Sequence, residues 1–574
     1  MRHAWSRAGE QLGTVAEVFR EPQLRRLELS WAGFYIGEWA HFVALSVYAF
    51  AIGGATAVGL LGLVRMAPAA VALPIGGMLT DRYPRQRVLL GMYLLRAGTL
   101  GATALALAAD SPHAVIFALA ACAAIVGAPV RPATLALVPM LARTPQELVA
   151  ANVSSSTLEG LGTFAGPIVG GVLAARYGVD VAVATSAVIC LACAALVGSI
   201  RRAGDVSHAR QRVERNTVDE LLRGARTLRE EHQPRLIVLL FASQAMVRGI
   251  LNVLLVVTAL ELLDIGDAGV GWLNAALGAG GLLGGLAAVS LVRRRRLAAV
   301  FGLALVLWGA PIAFVGIWPA TVWALVCIGV VGIGNAILDV SGFTLLQRTV
   351  DEHVLGRVFG VFEIGVAAAV AVGSVLGSIE VATIGIQAAL IVSGLFLPAL
   401  ALVTHASLRA IDDASPVPAR QLALLSRVPL FAPLPVTTLE RLASRLVAVE
   451  APAGTTVVEQ GAPGDLFYLI ASGGIDVVSD GALVNTLAPG DYFGEIALLH
   501  DVPRVASCIA RTPVDLYALD RERFVAAVGG DARSSTSAEG VMDARLAELE
   551  TIRSGGVVDR ADGEKAGEPE DHEP

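Results

Sequence analysis

The residues best suited to binding chemistry are concentrated near the C-terminal end of the chain. They run Gly490-Asp491-Tyr492-Phe493-Gly494-Glu495-Ile496-Ala497-Leu498-Leu499 and continue as Pro503-Arg504-Val505-Ala506-Ser507. A glycine turn lets backbone approach a ligand closely. A helical turn behind it leaves N–H groups facing an anion. An arginine supplies a forked, permanently charged partner for phosphate, and a carboxylate accepts hydrogen bonds from a sugar hydroxyl. This combination is the chemistry of gripping a sugar phosphate.

A second set of chemically capable residues lies inside long apolar runs: Glu38, His41, Arg65, Arg96, Arg131, Glu159, Arg248, Asp339 and Glu363. An ionisable side chain in a bilayer is costly, so each is a functional candidate. The competing reading places Glu38 and His41 near the interface and lets Arg248 snorkel to it. Cys190 and Cys193 have the spacing of a metal or redox pair, but they sit in an apolar run and read as two buried thiols on one helix. No disulfide framework, metal site or catalytic constellation is expected, and the chain does not read as an enzyme.

The elements that position these residues follow from composition. Of 574 residues, 55% are hydrophobic and 16% charged, with 61 glycines. That is too apolar for a soluble protein of this size and rich in the small residues that membrane helices use to pack. Apolar runs near 29–52, 55–79, 88–109, 113–139, 148–175 and 179–200, then 235–263, 269–292, 297–318, 320–346, 357–379 and 383–404, are each long enough to cross a bilayer. They predict twelve spans in two halves of six, 29–200 and 235–404. A cytoplasmic segment 1–28 precedes them and a linker 201–234 joins them. Arginines crowd one side of the loops and acidic residues the other, which places the arginine side, both termini and the C-terminal module in the cytoplasm. No cleavable signal peptide opens the chain. Gly285 with Arg293 and Arg295 repeats the spacing of Gly77 with Arg85 and Arg87. The same shift brings Arg131 onto Asp339, as expected of parallel halves.

After a linker at 405–420, the pattern becomes short alternating runs: Thr455–Val458, Phe467–Ile470, Ile475–Val478, Ala482–Val484 and Val514–Ala518. These predict a small β-roll with helices near 436–446 and 521–528, over 421–530. An acidic, solvated tail, 531–574, is expected after it.

The stretch Gly77-Met-Leu-Thr-Asp81-Arg82-Tyr-Pro84-Arg85-Gln-Arg87 resembles the loop motif of the major facilitator superfamily, with Pro84 where the family usually has glycine. Gly162-Thr-Phe-Ala-Gly166-Pro167-Ile-Val-Gly170-Gly171 resembles its fifth-helix motif, typical of exporters that exchange substrate for protons. Arg131-Pro132-Ala133 and the segments around Arg348 and Arg357 look most like its enterobactin-exporter and macrolide-efflux branch. The resemblance covers about 1–405. It implies that spans 1, 4, 7 and 10 line a central cavity, which puts Glu38, His41, Arg131, Arg248 and Asp339 there. Glu38 and Asp339 are expected to carry the coupling proton or cation, with Arg131 as their counter-charge. Asp81 with Arg82, Arg85 and Arg87 is expected to gate the cytoplasmic side, and Gly162, Gly166, Pro167 and Gly170 to pack the helix.

Residues 421–530 resemble a cyclic nucleotide-binding domain, through Ala453-Gly454, Gln460 to Ile470, Ser472-Gly473 and the stretch from Gly490. The resemblance implies that Glu495 holds the ribose 2′-hydroxyl and Arg504 the cyclic phosphate. Gly494, Ile496, Ala497 and Ala506 would offer backbone groups. Val505 lacks the hydroxyl that the cGMP type uses, so cAMP is favoured as a regulatory ligand. No basic recognition helix follows, so no nucleic-acid partner is expected. The expectation is a multi-pass protein of the bacterial inner membrane, a proton-coupled exporter of an unidentified small molecule modulated by cAMP. The alternative is a transporter-like cyclic-nucleotide sensor or scaffold that does not transport.

Overall fold

The computed structural model of the chain describes residues 19–142, 145–200, 217–291, 296–350, 352–414, 419–432, 434, 436–500 and 502–529. They fall into two units, one ending at Ala414 and the other beginning at Ser415. The expected acidic tail and most of the first 28 residues lie outside the described residues.

The first unit is helical. Its first half comprises α1 (Pro22–Arg82), α2 (Arg85–Ala108), α3 (His113–Gly127), α4 (Val130–Leu141), α5 (Pro145–Tyr177) and α6 (Val179–Gly198). After α7 (Thr217–Glu230) come α8 (His232–Val257), α9 (Gly266–Leu291), α10 (Leu297–Ile317), α11 (Thr321–Thr349), α12 (Glu352–Ile384), α13 (Ile386–Val403) and α14 (His405–Ala414). Among the described residues, eleven segments are long and apolar enough to cross a bilayer. The first of them far exceeds the roughly 20 residues that one crossing needs. Its backbone leaves helical geometry at Gly53 and Gly54, where the expected first and second spans meet. Gly54 has φ +56°, a conformation glycine adopts without steric cost.

The two halves meet through small residues. A Cβ on Gly171 of α5 would stand 3.0 Å from the Cα of Gly271 in α9. One on Gly62 of α1 would stand 2.4 Å from Ser374 Oγ in α12. Such contacts bring backbones together where hydrophobic driving force between helices is absent.

Three segments depart from expectation. The fourth apolar run is two helices, because Pro129 has no N–H to continue the ladder and heads a new helix at Val130. The polar insert is helical over Thr217–Glu230, with Leu228 buried and Gly224 against the Arg357 carbonyl of α12. The linker after Thr404 begins as α14, which buries Leu408 and Ile411 against the bundle. In α14, Asp412 accepts from the backbone N–H groups of Ala298 (2.8 Å) and Ala299 (3.0 Å) in the first turn of α10. Those N–H groups have no partner within their own helix. Asp412→Ala is therefore expected to lower stability by about 1 kcal/mol, read as a drop in the thermal unfolding midpoint of the full chain; an unchanged midpoint would show that the cap contributes nothing.

The second unit carries α15 (Ala419–Leu425), α16 (Val436–Arg445) and eight strands: β1 (Val447–Ala451), β2 (Thr456–Val458), β3 (Leu466–Ser472), β4 (Ile475–Ser479), β5 (Ala482–Leu487), β6 (Tyr492–Phe493), β7 (Ser507–Ala510) and β8 (Val514–Asp520). α17 (Glu495–His500) follows β6 and α18 (Arg521–Gly529) follows β8. The strands form two antiparallel four-stranded sheets, ordered β1-β8-β3-β6 and β2-β7-β4-β5. β3 is buried on both faces, and its period-two alternation divides its side chains between two cores. Phe467 and Leu469 join Phe431 and Phe524 beneath the helices, with the Phe467 and Phe524 rings stacked at 4.9 Å. Tyr468 and Ile470 face the core between the sheets, with Phe493 and Leu516.

Candidate functional site

In the second unit, two segments of the stretch from Gly490 to Ser507, residues 493–497 and 504–506, line one cavity. Gly494, Glu495, Ile496, Ala497, Arg504, Val505 and Ala506, seven residues singled out from sequence, all line it. Gly494 follows β6 with φ +91°, and a Cβ there would stand 2.5 Å from Arg504 Nη1. Glycine is thus required twice, for its backbone conformation and for the room it leaves the guanidinium.

Arg504 is only 6% exposed. Its Nη1 donates to the Gly494 carbonyl (2.9 Å) and its Nη2 to the Leu466 carbonyl (2.7 Å). Its backbone N–H donates to the Ala462 carbonyl, and its own carbonyl accepts from Gly461 N–H. The guanidinium is therefore oriented before any ligand arrives. Burial pushes its pKa below the ordinary value, while Tyr468, Cys508, Asp465 and Glu495 pull the other way. It remains a cation at neutral pH. Glu495, 1% exposed, opens α17 on the same wall.

The rest of the lining is largely apolar. Val458, Val477, Val484, Leu487, Phe493 and Cys508 make it up, with Asn485 the polar member. These residues come from β2, β4, β5, β6 and β7, and sequence reasoning missed them as site residues. The available signal was strand alternation, which points every second side chain inward without saying which strands share a pocket.

In the bundle, Glu38 is not paired with Arg131. Arg65 Nη2 donates to Glu38 Oε1 (2.9 Å), and Arg96 Nη2 donates to Glu38 Oε2. Arg131 instead donates to Glu159 (3.0 Å) and to the Tyr35 hydroxyl (3.5 Å). Asp339 accepts from Asn335 Nδ2 (2.9 Å), and the charges of Arg248 and Arg131 act on it. The charges of Arg131, Glu159 and Arg248 therefore converge on Asp339, whereas Glu38 has its own pair of cations. Glu28, just before the first expected span, was missed; it is 1% exposed and accepts from Ser155 Oγ at 2.7 Å.

The Major Facilitator Superfamily model matches residues 29–244 and 236–449. The chain belongs to the major facilitator superfamily. The Cyclic nucleotide-binding domain model matches residues 448–530. Neither is an enzymatic family. Among the described residues, no group of three His, Cys, Asp or Glu side chains could hold a metal ion.

The chain is 42% identical over 109 residues to a cAMP-dependent protein kinase regulatory subunit of Aspergillus niger, covering 19% of this chain and 26% of that one. It is 40% identical over 103 residues to the Schizosaccharomyces pombe regulatory subunit, covering 18% and 25%. The chain thus spans about a quarter of the length of these relatives. Among solved structures, the sensor domain of the transcriptional regulator DNR from Pseudomonas aeruginosa matches at 23% identity, covering 23% of this chain and 96% of that one, with a TM-score of 0.21. The regulatory subunit of a cAMP-independent protein kinase A from Trypanosoma brucei matches at 24% identity, covering 24% and 49%, also with a TM-score of 0.21.

Within this superfamily chain the loop-motif residues are described only in part. Gly77, Asp81 and Arg82 stand at the end of α1, and their side chains lie outside the described residues. Arg85 Nη1 donates to the Ala136 carbonyl of α4 (2.8 Å), a contact inside the first half, and Arg87 is exposed. The fifth-helix motif packs along α1. A Cβ on Gly162 would stand 2.5 Å from Tyr35 Cβ, one on Gly166 2.8 Å from the Ile36 carbonyl, and one on Gly170 2.3 Å from the Ala40 carbonyl. Pro167 lies within the same helix.

Proposed function

We propose that the chain is a secondary-active exporter of small molecules, driven by proton exchange, whose turnover is set by a cyclic nucleotide bound to its C-terminal domain. The carrying observation is a pre-oriented, buried Arg504 that lines one cavity with Glu495, on the same polypeptide as a superfamily bundle. In this reading Arg504 takes the cyclic phosphate and Glu495 the ribose 2′-hydroxyl. The backbone around Gly494, Ile496, Ala497 and Ala506 approaches the sugar phosphate, and the valine-lined wall covers the base. Val505 presents no hydroxyl to a guanine, which favours cAMP over cGMP. The name of the regulatory subunits matched by this region, cAMP-dependent, supports the same choice.

The bundle is read as twelve spans in two six-helix halves, counting α1 as two, with domains divided at 29–200, 235–404 and 421–530. Arginine-rich loops favour a cytoplasmic module in the inner membrane of a bacterium. Asp339, with Arg248 and Arg131 acting on it, is the coupling carboxylate of this proposal. Gly77, Asp81, Arg82, Arg85 and Arg87 form the gate.

The test is substrate efflux from inverted vesicles with and without cAMP at the exposed module. Nucleotide coupling worth about 1–3 kcal/mol would change transport roughly 5- to 150-fold. An Arg504→Glu chain should transport without responding; a response equal to wild type would remove the reading. Glu495→Gln is expected to weaken cAMP binding roughly tenfold, the effect of losing one charge-assisted hydrogen bond, measured by calorimetry on the full chain. An unchanged Kd would take Glu495 out of the site.

A further inference from the structure

The cluster around Glu38 holds more positive than negative charge. Glu38 faces two guanidiniums, Arg65 and Arg96, which are 2% and 1% exposed. His41 adds no charge. Its Nδ1 lies 3.2 Å from the Gly37 carbonyl, where it donates, which leaves Nε2 as the acceptor facing Arg65 Nη2 at 3.5 Å. A neutral ring fits both contacts, and a doubly protonated one would set an N–H against a cation. Phe42 under Arg65 and Phe34 under Arg96 cushion the guanidiniums without neutralising them. Among the described residues, Arg65 and Arg96 pair with no carboxylate but Glu38; Glu159 is held by Arg131, Asp339 by Asn335 and Glu28 by Ser155. One buried cation is thus in excess, an arrangement that costs free energy unless an anion completes it.

Two further observations locate that anion. Arg65 Nε and Arg96 Nε are both buried with no hydrogen-bond partner among the described residues. Of the two, Arg65 borders a small cavity with room for about one water-sized particle, walled by Phe42, Ser46, Val58, Leu61, Gly62 and Met66 of α1, Asn252 and Val253 of α8 and Ser374 of α12. Ser46 and Ser374 already donate to the Phe42 and Val370 carbonyls. The Asn252 amide is therefore the neutral donor of the wall.

We infer that this cavity between the halves binds a monovalent anion, a halide or a carboxylate group, held by Arg65 with Asn252 assisting. Because α1 comes from one half and α8 and α12 from the other, the anion bridges the halves. The site stands independently of whether the bundle exports anything, and its test involves no transport.

The test is the thermal unfolding midpoint of the full chain in detergent, titrated with chloride or with formate at constant ionic strength in lactobionate, a disaccharide acid too large for the cavity. The wild type is expected to show a saturable rise. A rise with chloride assigns a halide, and a rise with formate alone assigns a carboxylate group. Arg65→Gln removes the excess charge and should weaken the response at least tenfold; Glu38→Gln adds to the excess and should strengthen it. A midpoint indifferent to both probes overturns the inference, as does an Arg65→Gln chain that titrates like wild type. If Arg65→Gln does not fold, Glu38→Gln decides, and an unchanged or weaker response overturns the site.

Discussion

Arg504→Ala is expected to weaken cAMP binding by roughly two to three orders of magnitude. A forked guanidinium makes charge-assisted hydrogen bonds to a phosphate, each worth about 1.5–3 kcal/mol. The side chain is already held by the Gly494 and Leu466 carbonyls, so little ordering is left to be done when the ligand binds. Alanine removes the cation from the phosphate and leaves both carbonyls without their donor. Lysine keeps a charge but not the fork, so Arg504→Lys should fall between wild type and alanine. Calorimetry of the full chain reads the Kd, and thermal unfolding without nucleotide separates the lost contact from a loosened domain. An alanine variant that binds within threefold of wild type would move the phosphate away from Arg504.

Gly170→Leu is expected to destabilise the bundle by about 3 kcal/mol or more, at the upper end of overpacking effects. A Cβ at Gly170 meets the Ala40 carbonyl at 2.3 Å, and the clash is with backbone, which has no rotamer to adopt instead. Relief requires α5 to move off α1, which breaks the neighbouring contacts at Gly166 and Gly162 as well. Gly101 of α2 is the control, because a Cβ there meets nothing within 4 Å. Gly101→Leu should leave the monodisperse peak in detergent chromatography intact, while Gly170→Leu should broaden or abolish it. Equal behaviour of the two variants would show that close packing at Gly170 does not hold the halves of the motif together.

Parts of the fold were legible because their signal is local. Apolar runs of crossing length mark helices wherever they occur, and the Gly53–Gly54 break falls where the expected first and second spans meet. In the second unit, strands β2, β3, β4, β5 and β8 follow the expected alternating runs. β1, β6 and β7 were not anticipated. β6 is two residues long, too short for any periodicity, and β7 lies directly behind the Arg504 segment, where site residues mask the alternation. α7 and α14 were read as linkers because their composition is polar. Only the neighbours that bury Leu228, Leu408 and Ile411 make them part of the bundle.

The sequence by itself determined which residues have the chemistry: Gly494, Glu495 and Arg504 in one stretch, and a sparse set of charges within apolar runs. Type and spacing suffice for that, since they depend on side-chain chemistry and on neighbours a few residues away. Tertiary structure alone decided the partners. Glu38 takes Arg65 and Arg96 from other spans, Arg131 takes Glu159, and the apolar lining that shares the cavity with Arg504 is gathered from five strands. Pairing across such separations is set by which helices and sheets pack together, and in the membrane that packing is governed by small residues whose contacts leave no mark in the charge pattern.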